Sequence, residues 1–308
     1  METTVSTPEG ISEGKSEDKL ENKVGEVRGE EPRKKSDRKS ARVKKGQSDV
    51  TALVVFSDLL FTLVFFLALY FIWLVWWTAV PAYYEQKEAS AKVQWDVPED
   101  PNTPAVPLDY MPCDSTGATD DKYRELWGVD WKEQYNSNWK NPLVEKTMIG
   151  RSYVPKWGAD YSRNIVQGTN KVRVLDRQGY GHYENTAMPG CVGNFAAAAH
   201  RDGYGAPMGD IDKLVVGDAL VVRTLHYWYV YDMSSYEIVD PSNGTVINPV
   251  PGQSAAVLPT ERLLTYTTCH PRWSLDKRYI VHAKFKYWAE VRSGVPQELL
   301  DVGTHIDF

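Results

Sequence analysis

The run from Leu59 to Val80, LLFTLVFFLALYFIWLVWWTAV, carries no charged residue, and it restricts this chain more than any other stretch. About 20 consecutive apolar residues are enough for a helix to cross a bilayer. A secretory signal peptide has a shorter apolar core at the very N-terminus, which does not fit. A buried core helix would not carry aromatics this densely. Trp73, Trp76, Trp77, Tyr83 and Tyr84 gather at the C-terminal end, as an interfacial belt does, and Asp58 lies near the other end. The stretch just before it, RKKSDRKSARVKK at residues 33–45, is almost purely basic, so the positive-inside rule places the N-terminus in the cytoplasm. The expectation is a single-pass anchor over residues 51–80 in the cell membrane, with everything after it extracellular.

The rest of the chain divides around that anchor. Residues 1–32 are polar and acidic with scarcely any large apolar side chains, so residues 1–50 read as a disordered cytoplasmic tail. Residues 81–146 turn to Pro, Asp, Asn and Trp and read as an extracellular stalk followed by a Trp-rich segment, WGVDWKEQYNSNWKNP. With 308 residues and 42% hydrophobic content, the chain can build one sizeable core, placed at residues 147–308. The net charge of -6 gives no reason to expect a nucleic-acid partner.

That last region reads as all-β. Short β-rich runs recur between Gly, Pro, Asn and Asp: MIGRSYVP, NIVQG, KVRVL, GNFAAAAH, GDALVVRT, HYWYVYDM, YEIVDP, RLLTYTTC and RYIVHAKFKYWAEV. Such spacing argues for a barrel or sandwich. Two of these runs carry chemistry. Leu263 to Cys269 alternates as a strand that Pro271 should stop, and Arg278 opens the next strand. A thiol beside a guanidinium is poised for activation, and it lacks only a base. Of six histidines, His200 has the best context, at the end of a strand and the mouth of the loop RDGYGAPMGD. His182 reads as lying in a glycine-rich loop.

HRDGYGAPM, TYTTCHP and RYIVHA, in that order, resemble the His, Cys and Arg signatures of the sortases, the cell-wall transpeptidases of Gram-positive bacteria. The TTCHP box, the short interval from Cys269 to Arg278 and the opening stretch IGRSYVPKWG are most similar to class E. The resemblance covers about Met148 to Val291. It departs from the family at Ala199, where a Gly usually precedes the His, and at Cys191, not usually a cysteine. It implies an eight-stranded β-barrel of the sortase type and assigns Cys269 as nucleophile, His200 as acid and base, and Arg278 as the donor to substrate backbone or oxyanion, with Arg272 its rival. Thr268 and Tyr183 are expected in the substrate pocket.

The implied reaction cleaves a sorting signal of the Leu-x-x-Thr-Gly type, Leu-Ala-x-Thr-Gly for this class, between Thr and Gly. It forms a thioester and passes the protein to the amine of a peptidoglycan precursor. Implied partners are secreted proteins bearing that C-terminal signal, the precursor amine, and membrane lipid through the anchor; no cofactor or metal is expected. The rivals are a class C-like pilin-polymerising sortase, for which residues 109–138 are long enough to form a lid, a hydrolytic cysteine peptidase, and a non-catalytic surface-binding module. An exported domain sits in an oxidising setting, so the two remaining cysteines, Cys113 and Cys191, are expected to pair.

Overall fold

The computed structural model describes residues 38–109 and 143–306. The chain divides into two units, residues 1–62 and 63–308. Helix α1 runs Arg38–Ile72, and its residues Thr51–Ile72 are long and apolar enough to cross a membrane. The helix begins within the basic cluster expected to be disordered, because Arg, Lys, Ser and Ala extend an existing helix at low cost. A π-helical turn at Trp73–Trp77 leads to α2, Ala79–Ala91.

Eight strands follow: β1 Met148–Tyr153, β2 Ser162–Gln167, β3 Tyr180–His182, β4 Gly193–Ala198, β5 Ala219–Arg223, β6 Tyr227–Val239, β7 Arg262–His270 and β8 Lys277–Glu290. They close into a barrel in the order β1-β2-β3-β4-β7-β8-β6-β5. Two pairings are parallel, β2 with β3 and β4 with β7, and the rest are antiparallel. Alternation along each strand sets the interior. Phe195, Ala197, Ala199, Leu264, Tyr266, Val281 and Ala283 face the core with Tyr180, Tyr229 and Trp288.

Three expectations change. KVRVL is not a strand: Lys171–Leu175 is a π-helical turn that continues helically through Asp176–Gln178. Its backbone bonds close within the turn, with the Val174 and Leu175 N–H groups donating to Asn170 O at 2.9 and 3.1 Å, and Asn170 caps it by accepting from the Arg173 N–H at 3.0 Å. HYWYVYDM and YEIVDP are one strand, β6, which stays paired with β8 through register shifts near Val230 and Met233. The stalk is docked, at least to residue 109. Asn164 Nδ2 donates to Gln86 O at 2.7 Å, and the Leu108 N–H donates to Trp288 O at 3.0 Å. Ala105 joins Trp228, Val291 and Val295 in a second apolar cluster outside the barrel. The Trp-rich segment, the candidate lid beyond Asp109, and Cys113 lie outside the described residues. Among those residues no disulfide is formed, and Cys191 is buried in the core.

His182 belongs to β3, where it is fully buried and stacks on Phe195. Burial pushes its imidazole down to about 4. The neutral ring is therefore what the fold accommodates, while the unfolded chain takes up a proton near pH 6.5. Its contribution to stability is complete above that value and is lost as pH falls toward 4, at no more than about 1.4 kcal/mol per pH unit. Urea denaturation at stepped pH should show this decline in the parent chain and a shallower one in His182→Asn. Parallel declines would contradict the assignment.

Candidate active site

Strand β7 carries Cys269, and the registers on both sides of it decide what the thiol meets. The parallel ladder with β4 runs to Ala198 opposite Thr267 and continues as the Ala199 N–H donates to Thr267 O at 3.2 Å. Two residues further on, His200 adjoins Cys269, on strands about 4.8 Å apart. On the other side Cys269 faces Arg278 directly in the antiparallel ladder with β8. Directly opposed residues project from the same face. Cys269, His200 and Arg278 therefore meet at one rim of the barrel, all partly accessible to solvent.

The outer face of β4 and β7 makes the floor leading to that rim. Ala196, Ala198, Thr265 and Thr267 lie on it, and the small alanines leave room above the sheet. Tyr183 stands over the floor, its hydroxyl 2.9 Å from Thr267 Oγ1. Burial raises the Tyr183 phenol, the Cys269 thiol adds to that, and the Arg278 charge opposes it. Asn194 helps hold a wall by donating to Val246 O at 3.3 Å and Asn248 O at 3.1 Å. Thr268 does not line this groove. It shares the inward face with Leu264 and Tyr266, is buried, and donates to Ala199 O at 2.7 Å. Its structural work is to brace the chain entering His200.

His200 has a partner that the motifs did not announce. Its Nε2 lies 2.7 Å from Asp176 Oδ1, on the helical turn misread as a strand. Lys171 meets both oxygens of that carboxylate at 3.1 Å. The Tyr204 ring stacks on the imidazole at 4.8 Å, and Lys171 Nζ sits 5.1 Å from the same ring. That stacking depends on a tight reversal in which Gly203, Tyr204 and Gly205 all adopt positive φ, of 68°, 47° and 80°. Glycine at two of these three positions takes up the positive φ without side-chain strain. Burial lowers the His200 pKa, the hydrogen bond and charge of Asp176 oppose this, and the Lys171 charge adds to it. With Nε2 engaged by Asp176, Nδ1 is the ring nitrogen left without a hydrogen bond among the described residues.

The two rival arginines separate clearly. Arg272 donates to Gly209 O and pairs with Asp202 and Asp210, both at 3.4 Å, tying the β7–β8 turn to the loop after His200. Arg201, nearly inaccessible, strengthens the same tie through Asp212 at 2.8 Å and His270 Nδ1 at 2.8 Å. Among the described residues, Arg278 donates only to the carbonyls of Leu275 and Lys277, at 3.0 and 2.9 Å, both from Nη1.

A family model described as "Sortase domain" matches residues 153–286, which include all three residues at the rim. Over 269 residues the chain is 29% identical to Sortase SrtE1 of Streptomyces coelicolor, covering 85% of this chain and 65% of that protein. Among solved structures, the SrtA sortase from Actinomyces oris is 41% identical with a TM-score of 0.49, covering 52% of this chain and 91% of that one. Sortase E1 from Streptomyces coelicolor, with a tripeptide in the active site, is 36% identical with a TM-score of 0.46, covering 50% of this chain and 96% of that one.

The electrostatic balance at His200 is directly measurable. Asp176→Asn removes the opposing charge, so the His200 titration midpoint, followed by its Cε1–H resonance, should move further down. Lys171→Met should move it up. An unchanged midpoint in Asp176→Asn would show that the carboxylate does not govern this imidazole.

Proposed function

Since this chain belongs to the sortase family, we propose that it is a membrane-anchored cysteine transpeptidase acting on a Leu-x-x-Thr-Gly-type sorting signal. The resemblance of the TTCHP box and the opening stretch to class E points to Leu-Ala-x-Thr-Gly as the form of the signal. The observation that carries the reading is the convergence of His200 and Arg278 on either side of Cys269.

In this reading Cys269 Sγ attacks the carbonyl of the Thr–Gly bond and forms a thioester. His200 protonates the departing glycine amine and then takes a proton from the incoming amine. The second substrate is the amine of a peptidoglycan precursor, held while the acyl group waits on sulfur. Arg278 donates to the substrate backbone or to the tetrahedral oxyanion, with Nη1 held by two carbonyls so that the guanidinium plane is set before substrate arrives. Tyr183 lines the groove that receives the signal. Thr51–Ile72 anchors the chain, with the N-terminus cytoplasmic and the barrel outside, where both substrates are found.

The test is transfer of a Leu-Ala-x-Thr-Gly peptide to an added amine, with acyl-enzyme followed by mass spectrometry. Cys269→Ala should abolish both the thioester and the product, and His200→Ala should cripple both steps. Arg278→Ala should lower turnover about 100-fold or more, the usual scale for losing one oxyanion donor. Arg278→Lys should recover only part of that, because an ammonium does not reproduce a planar fork. Transfer by Cys269→Ala would refute the nucleophile. A larger defect in Arg272→Ala than in Arg278→Ala would reverse the choice of arginine.

A further inference from the structure

The turn between β7 and β8 exposes two large apolar side chains that the chemistry at Cys269 does not use. Trp273 is 67% accessible and Leu275 is 72% accessible. Turns ordinarily favour Gly, Pro, Asn, Asp and Ser, so an exposed Trp and Leu here call for an explanation.

The surroundings of the turn supply one. The Trp273 N–H donates to Asp202 Oδ2 at 2.8 Å, which fixes the turn against the loop after His200. Two residues along that loop, the Tyr204 N–H donates to Thr78 Oγ1 at 3.4 Å. Two residues of chain span about 7 Å at most, so the turn lies close to Thr78. Thr78 follows Ile72, the last residue of the candidate span, by six positions, or about 9 Å of helical rise. The headgroup layer on each side of a bilayer is about 5–8 Å deep. Immediately before Thr78, Trp76 and Trp77 are 74% and 62% accessible, and tryptophan favours that layer.

We propose that the β7–β8 turn is a membrane contact, with Trp273 and Leu275 reaching the headgroup layer of the bilayer that holds the helix. This rests on reading Thr51–Ile72 as a membrane span. A protein partner fits less well, because two side chains fall far short of the about 800 Å² per side of a stable interface. Lipid asks for less: a chain already tethered to the bilayer meets its surface at high effective concentration, so a small patch is enough. The Leu275 carbonyl also holds Arg278 Nη1, so the membrane contact adjoins the reacting groups. The site then opens at the membrane surface, where a substrate still carried on a membrane-embedded segment would present its signal.

Full-length protein in phosphatidylglycerol–phosphatidylethanolamine vesicles, photolabelled with a diazirine-bearing phospholipid, tests this. Trypsin cuts after Arg272 and Lys277 and releases Trp273–Lys277 as its own peptide. Label is expected on that peptide and on the one carrying Thr51–Ile72. A labelled helix with an unlabelled turn overturns the contact while leaving the anchor intact, and label on neither overturns both. Trp273→Ser should lower transfer from a signal fused to a membrane-spanning helix by about fivefold or more, since only that substrate shares the surface. Transfer from the same signal free in solution should be unchanged. Equal losses on the two substrates would place the turn in the chemistry and end the proposal.

Discussion

β4 and β7 run parallel through six residue pairs, from Gly193 opposite Arg262 to Ala198 opposite Thr267. Direction matters here as much as register. Because the two strands point the same way, their C-terminal ends emerge at the same rim, and His200 arrives where Cys269 ends. An antiparallel pair would have sent them to opposite ends of the barrel. β8 then returns antiparallel to β7, so its second residue, Arg278, comes back to that rim. A slip of one residue in either ladder would turn His200 or Arg278 to the other face of the sheet. The inward side chains resist such a slip. Phe195, Ala197, Leu264, Tyr266, Val281 and Ala283 all sit in the core, and a slip would exchange them for Asn194, Thr265 and His282.

An imidazole proposed both to give and to take a proton cannot be held firmly in one state. Burial at His200 favours the neutral ring, and the Asp176 carboxylate favours the charged one. Burial wins, so the pKa falls below the ordinary imidazole value, and the carboxylate holds back part of that fall. Lys171 tempers the carboxylate from the solvent side, and the Tyr204 ring lies against both the Lys171 ammonium and the imidazole. The carboxylate is itself buried, so its hydrogen bond to Nε2 also fixes the ring's orientation. The helical turn that carries Asp176 is in turn held by α2, through Arg177 to Glu85 at 2.5 Å and the close approach of Gly179 to Gln86. The orientation of the histidine thus depends on residues just beyond the apolar helix.

The barrel was largely readable from the sequence, because period-two alternation between turn residues reports strands without needing the fold. The thiol and its arginine were readable for the same reason, since each sits at a strand end marked by Pro271 or by a renewed alternation. Asp176 was not. Its short turn, KVRVLD, has the β-branched content of a strand, and only the backbone bonds from Val174 and Leu175 back to Asn170 show it to be helical. β3 escaped as well, being three residues long and bracketed by glycines. The placement of Thr268 in the pocket was avoidable. Leu264 and Tyr266 share its parity, and two large apolar neighbours on one face already pointed that face inward. Docking of the segment after the helix was hidden because Pro and Asp composition describes a chain's local stiffness, not the surface it meets.

Arg272 and Arg278 show how a structure separates residues that composition treats alike. A guanidinium has five N–H donors, and what distinguishes two of them is where those donors are committed. Arg272 directs its donors to a carbonyl and two carboxylates on the neighbouring loop, and that loop carries His200. Its contribution is to join the two segments that bring Cys269 and His200 together. Arg278 commits Nη1 alone, to carbonyls of its own turn, and among the described residues Nε and Nη2 donate to nothing. Holding one corner of a planar group fixes the plane while leaving the rest of the fork open. That is the condition under which an arginine recognises an oxygen that appears only when substrate binds. The turn between the two residues is therefore shared, clamped at one end so that the guanidinium at the other end is steady.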